Sequence, residues 1–249
     1  MDLVTDEKIV LLGNDLVDLD YERNSQALDN REFRRRVFTD DEELSIDSAE
    51  EPLKRLWSIW ACKEAAYKAL AAYYPDIIFA WKKYRTNRDL SNVTYGKHEV
   101  YVNVQELDER GLLAIAIATA EDAEARPAPM DDTQNEIFVW SSRVEKPPGV
   151  EDVLNESRLI RVWAVQQIAD MIGIDPGRLT IASRDPDNAE ELVGCAVTEQ
   201  SPQVQERAFP ASVPVLLIDD QMIPHRLSLS RDGRFVSAAL YLNPELIPG

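Results

Sequence analysis

Cysteine and histidine are almost missing from this chain of 249 residues. The two cysteines, Cys62 and Cys195, lie far apart without Cys-x-x-Cys spacing, and the two histidines are His98 and His225. A disulfide scaffold and a histidine-rich zinc site are therefore excluded as organising features. Basic residues are also scarce, with 27 Lys and Arg against 45 Asp and Glu and a net charge of −18. A field of that sign repels phosphate, so no nucleic-acid partner and no membrane surface is expected. No apolar run approaches the roughly 18 residues of a membrane helix. Asp2, Asp6 and Glu7 stand where a signal peptide carries positive charge. The expectation is a soluble, cytoplasmic, thiol-reduced protein.

What is present is ordinary globular composition, 45% hydrophobic and 29% charged. The length suits one large domain or two of about 120 residues. The stretch between Thr119 and Glu136 is polar, holds two prolines and has no hydrophobic period. Residues 121–135 are therefore read as a linker between a first half, 1–120, and a second half, 136–249. Asp185 to Phe209 reads as a long loop. In the first half the pattern predicts a strand over 9–12, a long helix over 52–74 and strands over 100–104 and 112–118. The second half gives a strand over 137–140, a helix over 156–172 stopped by Gly173, and strands over 179–182, 215–218, 226–230 and 235–242. The expected fold class is α+β, with two similar halves related by a pseudo-twofold. Each half is a long helix packed on a mainly antiparallel sheet, with a site expected in the cleft between them.

Ser48-Ala-Glu-Glu51 reads as a capping box before Pro52, which suits the first helical turn. Leu53, Leu56, Trp57, Trp60 and Ala61 then follow at core-facing spacing. At 100° per residue, Glu64 falls about 20° from Leu53, inside that stripe, and Lys68 about 60° away, on its edge. Two readings stand. One is an i, i+4 Glu64–Lys68 pair on an exposed face. The other is a carboxylate that has to meet a metal, a cation or a cleft. Ile59, Cys62 and Leu70 on the opposite side leave the buried face undecided.

Asp15 follows the apolar run Ile9 to Leu12 and Gly13, and is expected just past a strand end. There it forms either an Asx turn or an oxygen ligand that joins Glu64 on a hard cation such as Mg²⁺. Two carboxylates beside a lysine suit phosphate transfer, because Mg²⁺ completes its shell with phosphate and water.

Taken together, three segments resemble the 4′-phosphopantetheinyl transferase superfamily. They are Gly13-Asn-Asp-Leu-Val-Asp-Leu19, Phe38-Thr-Asp-Asp-Glu42 and Trp60-Ala-Cys-Lys-Glu-Ala-Ala-Tyr-Lys68. They correspond to the family's G-x-D, F-T-x-x-E and W/F-x-x-K-E-A-x-x-K patterns, in that order. Val17, where the larger type has a second acid, makes the first half look more like holo-acyl-carrier-protein synthase. In the second half, Ser157 to Arg161 resembles a CoA-facing helix, and Arg226 to Phe235 resembles an S-x-S-H-x-G segment. Arg231 replaces that histidine, and Ser212-Val-Pro214 replaces a G-K-P segment, so Val213 stands where the family has a lysine.

The resemblance implies transfer of 4′-phosphopantetheine from coenzyme A to a serine of an acyl or peptidyl carrier protein, releasing 3′,5′-ADP. It assigns Asp15 and Glu64 to Mg²⁺, Glu64 or a water it orients to base catalysis, and Lys68 to the pyrophosphate, with Lys63 pairing nearby. Ser230 and Arg231 are assigned to the nucleotide or its phosphates, and Arg158 or Arg161 to the 3′-phosphate. Carrier proteins are usually acidic, and the cluster Arg31, Arg34, Arg35 and Arg36 is the candidate docking patch, or else a solvated helix face. A monomer is expected. The alternative is a catalytically impaired CoA- or carrier-binding module on the same fold.

Overall fold

The computed structural model describes residues 10–74, 76–119, 136–144, 153–184, 192–193, 213–222 and 225–242. The expected linker at 121–135, nearly all of the 185–209 loop, and Cys195 lie outside them. The first half contains β1 (Val10–Asp18), α1 (Glu22–Ser25), α2 (Arg31–Val37), α3 (Asp40–Asp47), α4 (Pro52–Ala71), β2 (Tyr84–Thr86), β3 (Asn92–Tyr95), β4 (His98–Leu107) and β5 (Gly111–Thr119). The second contains β6 (Glu136–Arg143), α5 (Val153–Ile172), β7 (Leu179–Arg184), β8 (Leu192–Val193), β9 (Val213–Ile218), β10 (Gln221–Met222), β11 (His225–Asp232) and β12 (Phe235–Leu242).

The class is α+β, and among the described residues every strand pairing is antiparallel. One sheet runs β1-β5-β4-β3-β2, a second β11-β12-β6, and a third β10-β9-β7-β8. In both halves the first long strand pairs with the last, and the long helix lies between them in sequence.

Gly13 does not end the first strand. β1 continues to Asp18, with Asp15 opposite Ala114 of β5. Gly13 marks a close approach instead: a Cβ there would sit 2.1 Å from the Ala65 carbonyl oxygen and 2.6 Å from the Ala69 amide. A glycine within a strand commonly serves to let another backbone come near. Here the missing side chain, with Ala61, Ala65, Ala66 and Ala69, lets α4 lie directly across β1.

The start of α4 also differs in detail from expectation. Pro52 occupies the first turn, but the residue before it, Glu51, makes no side-chain cap. Ser48 closes α3, its hydroxyl donating to the Leu44 carbonyl at 2.7 Å. The capping box sits at Thr39 and Glu42. α5 ends as predicted, with Gly173 at φ +73°.

The halves meet along β1. Leu12, Leu16, Leu113 and Ile115 pack with Phe235 and Ala239 in one buried cluster. β1 is a sheet edge, so the amides facing away from β5 need acceptors. They find them in side chains of β11: Asn14 donates to Ser228 Oγ at 2.9 Å, Leu16 to Ser230 Oγ at 3.0 Å and Asp18 to Asp232 Oδ2 at 2.9 Å. Alternate residues of one strand thus cap alternate amides of the other.

Candidate functional site

Residues 13 and 15 share a face of β1, because side chains alternate along a strand. With α4 pressed against Gly13, Asp15 comes beside the turn of α4 that carries Glu64 and Lys68. Lys68 Nζ donates to Asp15 Oδ1 at 2.8 Å, to the Asn14 carbonyl at 3.1 Å and to Ser230 Oγ at 3.4 Å. Ser230 Oγ in turn donates to Asp15 Oδ1 at 3.0 Å. Among the described residues Glu64 makes no hydrogen bond, and neither does Oδ2 of Asp15. The surface pairing of Glu64 with Lys68 is therefore not what the helix builds.

Electrostatics acts on Glu64 and Lys68 in turn. Burial, reinforced by the nearby charge of Asp15 and only partly offset by Lys68, pushes the Glu64 carboxyl up to about 7. Burial works against the Lys68 ammonium, but Asp15 and Glu64 outweigh it and hold Lys68 above its ordinary value. A half-buried carboxylate without a donor, next to a second carboxylate, is an arrangement that a cation relieves. Among the described residues no group of three or more His, Cys, Asp or Glu forms. Two carboxylates are nonetheless a sufficient protein share for a magnesium ion that also binds phosphate and water. The donor set fits a hard cation in that sense.

The other residues singled out in the sequence divide sharply. Lys63, next to Glu64, is not brought to the site. It is fully buried, and its Nζ donates to Glu42 Oε2 at 2.6 Å, to the Val37 carbonyl at 3.0 Å and to the Trp81 carbonyl at 3.2 Å. All three ammonium protons are thereby used within the protein. Arg34 ion-pairs with Glu43 and Asp47 and is mostly covered. Arg31 and Arg35 are exposed on α2, while Arg36 lies over the Trp81 ring at 5.4 Å. Arg158 is exposed on α5 and Arg161 half-buried. Arg231 alternates with Ser230 on β11, so it takes the face of Leu227 and Leu229, opposite the one that reaches Asp15. Val213 opens β9. The Cys62 thiol is sealed in the core, where burial pushes it up to about 12, so it is no nucleophile.

Sequence reasoning passed over two groups that hold this geometry. Glu42, the acid of F-T-x-x-E, accepts from the Thr39 amide at 2.8 Å and from the amide and hydroxyl of Thr86, each at 3.1 Å, besides Lys63. The i, i+3 spacing of Thr39 and Glu42 is the capping-box signature and was legible. Arg234 grips the buried Asp18 with two parallel bonds at 2.7 and 2.8 Å, locking the β11–β12 turn onto the end of β1. The period-two spacing of Ser228, Ser230 and Asp232 is its visible counterpart on β11.

The site so defined brings two carboxylates and a lysine together between a strand and a helix. Residues 11–112 match the family model of the 4′-phosphopantetheinyl transferase superfamily. The match takes in all three motifs, and over that span the resemblance read from the sequence is borne out. Among solved structures, the chain is similar to holo-acyl-carrier-protein synthase from Neisseria meningitidis, at 20% identity and a TM-score of 0.33. That match covers 43% of this chain and 96% of the other. No curated protein matches.

Proposed function

We propose that the protein transfers 4′-phosphopantetheine from coenzyme A to a serine hydroxyl of an acyl or peptidyl carrier protein. The observation that carries this reading is the convergence of Asp15, Glu64 and Lys68, from two of the three family motifs, on one spot beside the seam between the halves. In the reaction the serine oxygen bonds to the phosphorus next to the pantetheine. The pyrophosphate P–O bond breaks, 3′,5′-ADP leaves, and the serine proton must be taken up. Asp15 and Glu64 would hold Mg²⁺, which when bound neutralises charge on the pyrophosphate. Glu64, or a water it orients, is the candidate to take up that proton. Lys68, resting on Asp15, would turn to the pyrophosphate once a cation takes its place.

Arg31 and Arg35, exposed on α2, are the candidate contacts for an acidic carrier. Arg34 is already engaged by Glu43 and Asp47, so the docking role falls on its two neighbours. Arg158 and Arg161 on α5 remain the candidates for the 3′-phosphate. The pairing of first with last long strand in each part, β1 with β5 and β6 with β12, supports reading the chain as two related halves, 1–120 and 136–249.

One observation favours a second reading. Arg231 faces away from Lys68, so the nucleotide contact expected of that position is not lined up with the carboxylates. A protein that binds CoA or carrier without turnover would tolerate this. Incubation with CoA, Mg²⁺ and a panel of apo-carriers separates the two by intact mass. Transfer adds one phosphopantetheine to a carrier and ceases with chelator. Saturable CoA binding without any mass gain selects the binding module.

A further inference from the structure

Ser230 is buried, and its hydroxyl is completely used. It accepts from the Leu16 amide at 3.0 Å, accepts from Lys68 Nζ at 3.4 Å and donates its one proton to Asp15 Oδ1 at 3.0 Å. A serine hydroxyl has one donor and two acceptor sites, so nothing remains for a substrate phosphate. We infer that Ser230 is a positioning residue through which the second half of the chain sets the Asp15 carboxylate for its cation. Two donors, Ser230 and Lys68, converge on Oδ1, and Oδ2 is the oxygen without a hydrogen bond among the described residues. The inference rests on the reading of Asp15 as a cation ligand and replaces the direct phosphate contact that the family resemblance assigns to Ser230.

The same strand carries its own control. Ser228, two residues earlier and equally buried, caps the Asn14 amide at 2.9 Å just as Ser230 caps Leu16, but it has no bond to Asp15 or Lys68. Each serine secures the seam between β1 and β11. Ser230 alone extends from that seam into the site.

The test measures Mg²⁺ binding by calorimetry, without CoA or carrier, alongside thermal melting, for the full chain and its Ser228→Ala and Ser230→Ala variants. Both variants are expected to melt lower by similar amounts. Only Ser230→Ala should weaken Mg²⁺ binding, about tenfold, the usual scale for removing a group that orients a metal ligand. Should Ser230→Ala not fold, Ser230→Cys keeps the volume while substituting a weak donor, and is read in the same way. Unchanged Mg²⁺ affinity in the Ser230 variant, or an equal loss in both variants, overturns the positioning role while leaving the cation site standing. Failure of the unaltered protein to bind Mg²⁺ overturns the cation reading itself.

Discussion

Lys68 Nζ lies 2.8 Å from Asp15 Oδ1, across the gap between helix and strand, and not against Glu64 one turn back on its own helix. The pairing makes Lys68 the resting counter-charge of a carboxylate whose other neighbour is also an acid. Breaking a buried pair by removing one member is costly because the other charge is left uncompensated. Lys68→Met is therefore expected to lower the melting temperature of the cation-free protein, and added Mg²⁺ should restore much of the loss. A variant that melts like the parent without cation would contradict the pairing.

The approach of α4 to β1 depends on Gly13. A methyl group there would overlap the Ala65 carbonyl at 2.1 Å, a backbone atom that cannot move without shifting the helix. Gly13→Ala should be among the most destabilising single changes, and any folded fraction should bind cation poorly because Asp15 and Glu64 are pushed apart. Denaturant unfolding followed by Mg²⁺ titration checks both parts. Stability close to that of the parent would show that the helix has room to retreat.

Glu64 sets a pH dependence whose sign is fixed. Its carboxyl is raised from 4.5 to about 7 on folding, so between those values the folded state holds more protons than the unfolded. This group's contribution to stability is present below pH 4.5 and is lost as pH rises through 7. Glu64→Gln removes the penalty. In cation-free buffer the variant should melt higher than the parent at pH 8, with the difference shrinking toward pH 5. A difference that does not change with pH would remove the charge repulsion from the account.

Lys63 and Glu42 form an ion pair with almost no exposure, 0% and 4%. Lys63→Ala should cost about 3–5 kcal/mol, since it strands a buried carboxylate. The measurement that separates structure from binding is the CoA KM of the folded variant at low temperature. It should match the parent, whereas a selective rise in KM would return Lys63 to the substrate.

Much of this was legible beforehand. Period-two and period-3.6 patterns located the long helices and most of the strands, and Gly173 stopped α5 where its φ requires glycine. Glu64 stood out as a carboxylate inside an apolar stripe, Asp15 as an acid after the first apolar run, and Lys68 as the residue four beyond Glu64. Neighbours in sequence misled where tertiary geometry decides. Lys63 and Glu64 are adjacent, yet a step of about 100° around the helix sends one into the core and the other toward Asp15. Gly13 looks like a strand end in one dimension and is a contact point in three. Arg34 looked free until the fold of α2 against α3 brought Glu43 and Asp47 to it. The role of Ser230 required knowing that β11 runs along the edge of β1, which no local pattern encodes.

The central claim is that Asp15, Glu64 and Lys68 carry out phosphopantetheine transfer. The most direct test is a single-turnover intact-mass assay, with CoA, Mg²⁺ and an apo-carrier that the parent modifies. Parent, Glu64→Gln and Arg35→Glu proteins are compared over a range of carrier concentrations. The account predicts that Glu64→Gln adds no phosphopantetheine at any carrier concentration while still folding. Arg35→Glu should transfer normally once the carrier is saturating. Transfer by Glu64→Gln at the rate of the parent would contradict the account.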